Sequence, residues 1–308
     1  MLLGNVDEAR LAELREIAPD ADLRLMADAN QLEREIEHAD AVAGSVPASA
    51  LAKAKSLQWV HSWAAGPNSQ LYPEMVASDV TLTCSKGNGA IPLAEHAMML
   101  MLMLNRQAMR WIDAQRERRW DPFMHGELAG QTCAILGTGY SGQDLAAKAR
   151  AFHMRTIGLR RSATATPGFD EMFGQDRLHE FLGQADVVVV TAPNTPETRG
   201  MLGEAEFRAM KPTALYICYS RGGIADDAAL LKALQEGWIA GAGLDAHGEE
   251  PLPPESPFWT LENVIVTPHN GATTPATKRR GYEVFRDNLR RWIAGEALVN
   301  VVNKQLGY

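Results

Sequence analysis

With 308 residues, 46% hydrophobic and 22% charged, the chain is long enough to bury two cores and ordinary in composition for a globular protein. A formal net charge of −8 and a pI near 5.5 argue against nucleic acid or an anionic membrane as partner. Three scattered cysteines, Cys84, Cys133 and Cys218, make neither a disulfide framework nor a zinc site, and no metal is expected. The longest near-apolar run, Ala97 to Leu104, is far too short to span a bilayer, and Met1-Leu2-Leu3-Gly4 lacks the parts of a secretory signal. These features predict a reduced, soluble, cytoplasmic protein.

In chain order, apolar residues at Leu11, Leu14 and Ile17 predict a helix over Val6 to Ala18. Leu23 and Leu25 suit a short strand. Gln31 to Ala39 reads as helix, Ala41 to Gly44 as strand, Pro47 to Lys55 as helix, and Leu57 to Ser62 and Val80 to Cys84 as strands. The alternation implies a small parallel sheet. Its first strand is almost absent: either Met1 to Gly4 supplies it or the start has been trimmed, and the edge of this unit is open to question.

From Ile91 to about Arg119 the pattern is helical and carries Met98, Met99, Met101, Met103 and Met109. A methionine stripe at this spacing reads as packed core or subunit interface before it reads as a ligand surface. Asp121-Pro122 ends the stretch. The basic run Arg116 to Arg119, interrupted by Glu117, reads as a helix end or subunit contact.

A second series of strands is predicted at Thr132–Leu136, Thr156–Leu159, Val187–Thr191, Ala214–Tyr219, Ala240–Leu244 and Val264–Thr267. Helices lie between them at Gln143–Phe152, Asp176–Gln184, Glu204–Met210 and Asp226–Glu236. This is a doubly wound sheet of six strands. Thr274-Pro275 starts a last helix with Tyr282, Phe285, Leu289 and Trp292 on one face and Gly295 as its stop, after which the tail returns to the first domain.

The first strand of the second series ends in Gly137-Thr138-Gly139-Tyr140-Ser141-Gly142, spaced G-x-G-x-x-G. In a dinucleotide site the first glycine makes the tight turn, the second admits a pyrophosphate and the third lets helix pack on strand. The helix N-terminus then offers N–H groups to the phosphates. About 20 residues on, where an acidic residue would bind the ribose of NAD, the chain reads Arg160-Arg161-Ser162, and the nearest carboxylate, Asp170, lies beyond a loop. Two guanidiniums and a hydroxyl suit the 2′-phosphate of NADP, so NADPH is the expected cofactor, with NAD possible.

Three polar groups follow C-terminal strand ends, where open α/β sheets place ligands: Arg221, Glu250 and His269. Their combination suits reduction of a 2-oxo acid. Arginine's fork anchors the carboxylate, histidine donates the proton, and an adjacent carboxylate raises the histidine's pKa toward the charged state.

The chain resembles the D-isomer-specific 2-hydroxyacid dehydrogenases over nearly its full length. The matching stretches are Leu128-Ala129-Gly130 leading to the glycine loop, Ser220-Arg221-Gly222-Gly223, Gly243-Leu244-Asp245 through Glu250-Pro251, and Thr267-Pro268-His269. The double arginine is most similar to the NADPH-using glyoxylate/hydroxypyruvate reductase branch. The resemblance implies an α/β fold of two domains, a smaller flavodoxin-like substrate domain at 1–95 and 281–308 and a Rossmann cofactor domain at 96–280. It implies Arg221 as carboxylate anchor, His269 as general acid/base and Glu250 as its partner. Asp245 would contact the nicotinamide carboxamide, and Thr138 to Ser141 would cover the pyrophosphate. Pro193 lies in the run near the adenine, and Ala65 and Gly66 offer backbone N–H groups to the substrate carboxylate, with a cleft between domains that closes to exclude water.

Relatives are usually homodimers, and the Met-rich helix and the Trp111-to-Trp120 segment suit that contact. The sequence departs from the family in having Cys218 where asparagine is common and in the polar run Ala192-Pro193-Asn194-Thr195. The side-chain pocket is expected from loops around Ser45-Val46 and Trp63, and from residues such as Trp292. A non-enzymatic dinucleotide sensor of the same fold is the second class considered; a transferase using S-adenosylmethionine leaves Arg221, Glu250 and His269 unexplained.

Overall fold

Short apolar runs assemble into two sheets of parallel strands in the computed structural model, which describes residues 1–307. One unit comprises Met1–Gly89 with Thr274–Tyr308, the other Ala90–Thr273. The expected divisions, 95/96 and 280/281, lie a few residues further along the chain at both junctions.

The first unit opens with β1 (Leu2–Leu3), α1 (Glu8–Ile17), β2 (Leu25–Met26) and α2 (Ala29–Glu35). It continues through β3 (Ala41–Ala43), α3 (Ala48–Leu51), β4 (Trp59–Ser62), α4 (Pro73–Ala77) and β5 (Thr81–Cys84). Aspartates start the two longer helices: Asp7 accepts from the Arg10 amide at 2.9 Å and Asp28 from that of Gln31 at 2.8 Å. The sheet order β2-β1-β3-β4-β5 is the flavodoxin-like one. The doubtful first strand is therefore present, and it is interior: Leu2 pairs with Leu25 on one side and Ala43 on the other, so β2 is the edge. Two residues suffice because the Met1 amino group donates to Ala41 O (2.8 Å) and so extends the ladder. Strand alternation then divides the core, Val42, Val60 and Leu82 packing with Leu32, Ile36 and Met75, and Ala43 and Trp59 with Leu11 and Leu14.

The second unit begins with α5 (Ala90–Asn105) and α6 (Ala108–Arg116). The periodicity predicts one helical stretch here, but the backbone turns at Gln107, whose φ is 51°. The polar triplet Asn105-Arg106-Gln107 interrupts the apolar pattern, and no proline or glycine advertises the break. Met98 and Met101 are buried in the core, whereas Met99 and Met109 stay exposed.

There follow β6 (Thr132–Leu136), α7 (Tyr140–Ala151), β7 (Arg155–Leu159), β8 (Glu171–Phe173), α8 (Leu178–Gln184) and β9 (Val187–Val190). The unit closes with α9 (Glu204–Ala209), β10 (Leu215–Cys218), α10 (Asp227–Gln235), β11 (Gly241–Leu244) and β12 (Val264–Val266). The sheet has seven strands, ordered β12-β11-β10-β9-β6-β7-β8, one more than expected. The addition is β8, an edge strand whose polar start hides it, though Phe173 is fully buried against Phe181. Val187 to Val190 are all fully buried, as a parallel strand covered on both faces requires. The strand order reverses between β6 and β9, which run parallel, and this makes the crevice beyond their carboxyl ends the place for a ligand.

The chain returns to the first unit through α11 (Pro275–Ala294), capped by Thr274 and stopped by Gly295 in the left-handed region (φ 68°). Tyr282, Phe285 and Leu289 are buried in that unit's core. The tail follows: Val301 bridges Thr83, and the Val302 amide donates to Leu82 O at 2.8 Å. No helix among the described residues is long and apolar enough to cross a membrane.

Candidate active site

The loop from β6 into α7 explains two of its three glycines from the protein alone. Gly137 has φ 105°, and a Cβ there would lie 2.7 Å from the Ala192 nitrogen and the Thr191 hydroxyl. A Cβ on Gly142 would run into the Gly137 carbonyl. Gly139 is different. Its backbone is extended (φ −77°, ψ −161°), and a Cβ would meet no protein atom within 4 Å. Packing makes no demand for glycine there, so the residue leaves room for something outside the chain. The exposed Gly139 and Tyr140 and the first-turn amides of α7 form a cradle that fits a dinucleotide pyrophosphate. Thr138 turns its side chain inward, its methyl close under Gly158, so only its backbone faces the loop.

Beyond β7, Arg160, Arg161 and Ser162 are exposed, with the Arg160 amide donating to Phe173 O at 3.2 Å. Asp170 is committed elsewhere. One oxygen accepts from the Thr156 amide and hydroxyl (2.8 and 3.1 Å), and the other faces Arg150 at 3.3 Å. The Thr156 amide holds its carboxyl below the usual range despite partial burial. The nearest carboxylate in sequence is thus tied down by β7 and α7 rather than offered to a ribose.

After β9, Pro193 is exposed and its carbonyl accepts from the Thr198 hydroxyl at 2.7 Å. Its neighbour Asn194 donates to Gly222 O (2.8 Å), joining this loop to the one that bears Arg221. That second loop packs backbone to backbone: a Cβ on Gly222 would collide with the His247 carbonyl. Arg221 is half-buried and its Nη1 donates to Ser220 O at 2.6 Å. The buried Cys218 thiol donates to Arg221 O at 3.5 Å, a weak contact.

Glu250 and His269 meet. His269 Nδ1 lies 2.8 Å from both Glu250 oxygens, and one of these also accepts from the His247 amide at 2.9 Å. Burial pushes Glu250 up, but the His247 amide and the His269 imidazole outweigh it and hold its carboxyl below the usual range. The carboxylate therefore stays ionised and fixes the ring with Nδ1–H toward it, which leaves Nε2 for proton exchange. His269 side-chain exposure is 33%, and its φ of 50° places the backbone in the left-handed region. A non-glycine residue persists there only where its surroundings impose it.

Those surroundings include residues that sequence reasoning assigned otherwise or missed. Asp245, expected at the nicotinamide, is fully buried. It accepts from the Thr267 hydroxyl (2.6 Å) and from the amides of Asn270 (3.1 Å) and Gly271 (3.0 Å). Its carboxylate thus serves the turn that bears His269. His96, hidden in the Met-rich helical pattern, reaches Thr267 Oγ1 at 3.0 Å. His247 Nε2 bonds Thr267 O at 2.9 Å. In the sequence only Gly243-Leu244-Asp245 and Thr267-Pro268-His269 hint at these groups, and nothing in the helical pattern points to His96.

Ala65 and Gly66 belong to the other unit, in the loop after β4, where Ala65 is exposed. Within that unit Trp63 is anchored by its indole N–H to Leu3 O (2.8 Å), and Val46 by its amide to Gln70 Oε1 (3.0 Å). Trp292 lies tilted against Trp59 with ring centroids 5.4 Å apart, partly buried against that unit's core. Among the described residues no three His, Cys, Asp or Glu side chains cluster as a metal site would require.

Residues 98–271 match the family described as D-isomer specific 2-hydroxyacid dehydrogenase, NAD binding domain. The chain is 33% identical to a glyoxylate reductase of Korarchaeum cryptofilum over 264 residues, 82% of this chain and 78% of that one. It is similar in structure to a D-isomer specific 2-hydroxyacid dehydrogenase family protein from Aeromonas salmonicida, with 32% identity, a TM-score of 0.87 and 98% of each chain covered. An NADPH-dependent glyoxylate/hydroxypyruvate reductase from Sinorhizobium meliloti, solved with NADP and sulfate, is 30% identical with a TM-score of 0.87, covering 100% of this chain and 98% of that one.

Proposed function

Since this chain belongs to the D-isomer-specific 2-hydroxyacid dehydrogenase family, an NAD(P)-dependent oxidoreductase family, we propose that it uses NADPH to reduce a short 2-oxo acid of the glyoxylate or hydroxypyruvate kind to the D-2-hydroxy acid. The observation that carries the reading is the Glu250–His269 pair, a histidine held through one nitrogen by an ionised carboxylate and exposed enough for its other nitrogen to serve a substrate.

In this reading Arg221 binds the substrate carboxylate through two parallel N–H bonds and polarises the adjacent ketone. Ala65 and Gly66 are assigned backbone N–H donation to a substrate carboxylate. His269 carries the proton to the developing alkoxide while Glu250 fixes the ring and balances its positive charge. NADPH, when bound, supplies the hydride. Gly137 to Gly142 receive its pyrophosphate, Pro193 borders its adenine, and Arg160, Arg161 and Ser162 take its 2′-phosphate. That preference is supported by the commitment of Asp170 to Thr156 and Arg150 and by the NADP held by the Sinorhizobium meliloti reductase.

The exposed Met99, Phe152 and Trp111 of the cofactor unit are assigned to a contact with a second copy in a homodimer. Sedimentation of the purified protein as a dimer is the matching result.

The substrate assignment is tested by following NADPH and NADH oxidation with glyoxylate, hydroxypyruvate, pyruvate and phenylpyruvate. Turnover with glyoxylate and hydroxypyruvate, faster with NADPH, is expected. Oxidation of neither cofactor with any of the four would overturn the reading.

A further inference from the structure

We propose that His96, on α5, is a positioning residue for this reaction: through Thr267 and Asp245 it clamps the turn that presents His269 to Glu250. The inference rests on the reading of His269 as the proton donor. Its geometry lies wholly within the cofactor unit.

The direction of each hydrogen bond can be worked out from proton counts. Thr267 Oγ1 carries one proton and lies 2.6 Å from Asp245 Oδ1, which as a carboxylate can only accept. That proton therefore goes to Asp245. His96 Nε2, 3.0 Å from the same Thr267 oxygen and 3.5 Å from Asp245 Oδ1, must then carry a hydrogen and donate it. Asp245 is fully buried, and a buried carboxylate is tolerated only when its lone pairs are met. Here they are met by Thr267, Asn270 and Gly271, all from the turn around His269, while His96 from a separate helix lies 3.5 Å from Oδ1 and is bonded to Thr267.

The backbone also lies against the ring: a Cβ on Gly271 would sit 3.0 Å from His96 Cγ and 2.9 Å from Asp245 Oδ2. The turn thus has one route past these groups. That route holds His269 at φ 50° with Nδ1 on Glu250. The titratable groups around the clamp are Asp245, reached by His96; Glu250, reached by His269; and His247, whose Nε2 bonds Thr267 O at 2.9 Å. Freed from α5, the turn can relax toward an ordinary backbone conformation and carry the imidazole off the carboxylate.

The test compares His96→Leu, His96→Gln and Thr267→Val in the full-length protein. Glutamine keeps an N–H donor near the place of Nε2; leucine does not; valine removes the link without touching His96. Nitrogen-15 NMR of the imidazoles in the unliganded protein reports which nitrogen of neutral His269 carries the hydrogen, and needs no turnover. Wild type and His96→Gln should hold the Nδ1–H form, while His96→Leu and Thr267→Val should shift toward Nε2–H. Paired kinetics with glyoxylate should show kcat lowered roughly 10- to 100-fold in the leucine and valine variants, as for a small misplacement of a reacting group, with the NADPH dissociation constant unchanged and glutamine restoring most of kcat. An unchanged His269 tautomer in both the leucine and valine variants overturns the proposal. Absence of turnover in the wild type with the tautomer shift intact would instead overturn the substrate reading and leave the clamp standing.

Discussion

His61 carries no role in the chemistry, yet its burial sets a pH limit on the fold. It is fully buried on β4, with Nδ1 2.9 Å from the Thr83 hydroxyl and Nε2 3.1 Å from that of Ser85. Burial pushes its pKa down from 6.5 to about 3. Between those values the unfolded chain binds a proton that the native protein refuses, so the stability is present above pH 6.5 and is lost as pH falls toward 3. By pH 5 the loss amounts to about 2 kcal/mol. Urea unfolding at pH 7 and pH 5 checks this, because His61→Gln should flatten the difference whatever its own cost; an equal drop in both proteins would clear His61 of the effect.

Arg160 is the residue to which position alone most directly assigns a role, since the end of the second Rossmann strand meets the ribose. What the sequence could not reveal is that Asp170 is occupied by Thr156 and Arg150. Arg160→Asp should therefore move the ratio of kcat/KM values toward NADH by roughly tenfold or more, the worth of one charge-assisted bond. An unmoved ratio would take the 2′-phosphate away from this loop.

At the level of elements, the glycine loop offers a contrast between two substitutions. Gly139→Ala adds a methyl that touches no protein atom, so the melting temperature should stay within about 2 °C while NADPH affinity falls about tenfold or more. Gly142→Ala sits in α7, where alanine's helix propensity would gain up to about 1 kcal/mol. Its methyl meets the Gly137 carbonyl, however, and overpacking of about 1–3 kcal/mol outweighs the gain. Calorimetry and cofactor titration of the pair separate the roles; a destabilised Gly139→Ala, or a stabilised Gly142→Ala, would contradict them.

The elements that could be read in advance share a cause. β6, β9, β10 and β11 are buried on both faces and so must be continuous apolar runs. β8 and the break at Gln107 lie where polar residues face water and periodicity carries little weight. The first strand was read as nearly absent because two residues make no pattern; its ladder is completed by backbone groups, which sequence does not display.

At the scale of the molecule, alternation of short strands with helices was enough to foretell two parallel sheets and the reversal at β6 that creates a ligand crevice. The candidate reactive groups could be picked out because they follow strand ends. The layer behind them could not, since Asp245, Thr267 and His96 are joined by distances that only the folded chain defines.

The account as a whole stands on His269 as the group that delivers the proton. The most direct measurement is the steady-state rate of NADPH oxidation with glyoxylate by wild type and His269→Ala, alongside the NADPH dissociation constant of each. Reduction consumes a proton, so the wild-type rate should also fall as pH rises. Loss of the histidine should lower kcat by about 100-fold or more while cofactor binding stays within about threefold. A variant that turns over near the wild-type rate, with the same dependence on pH, would contradict the account.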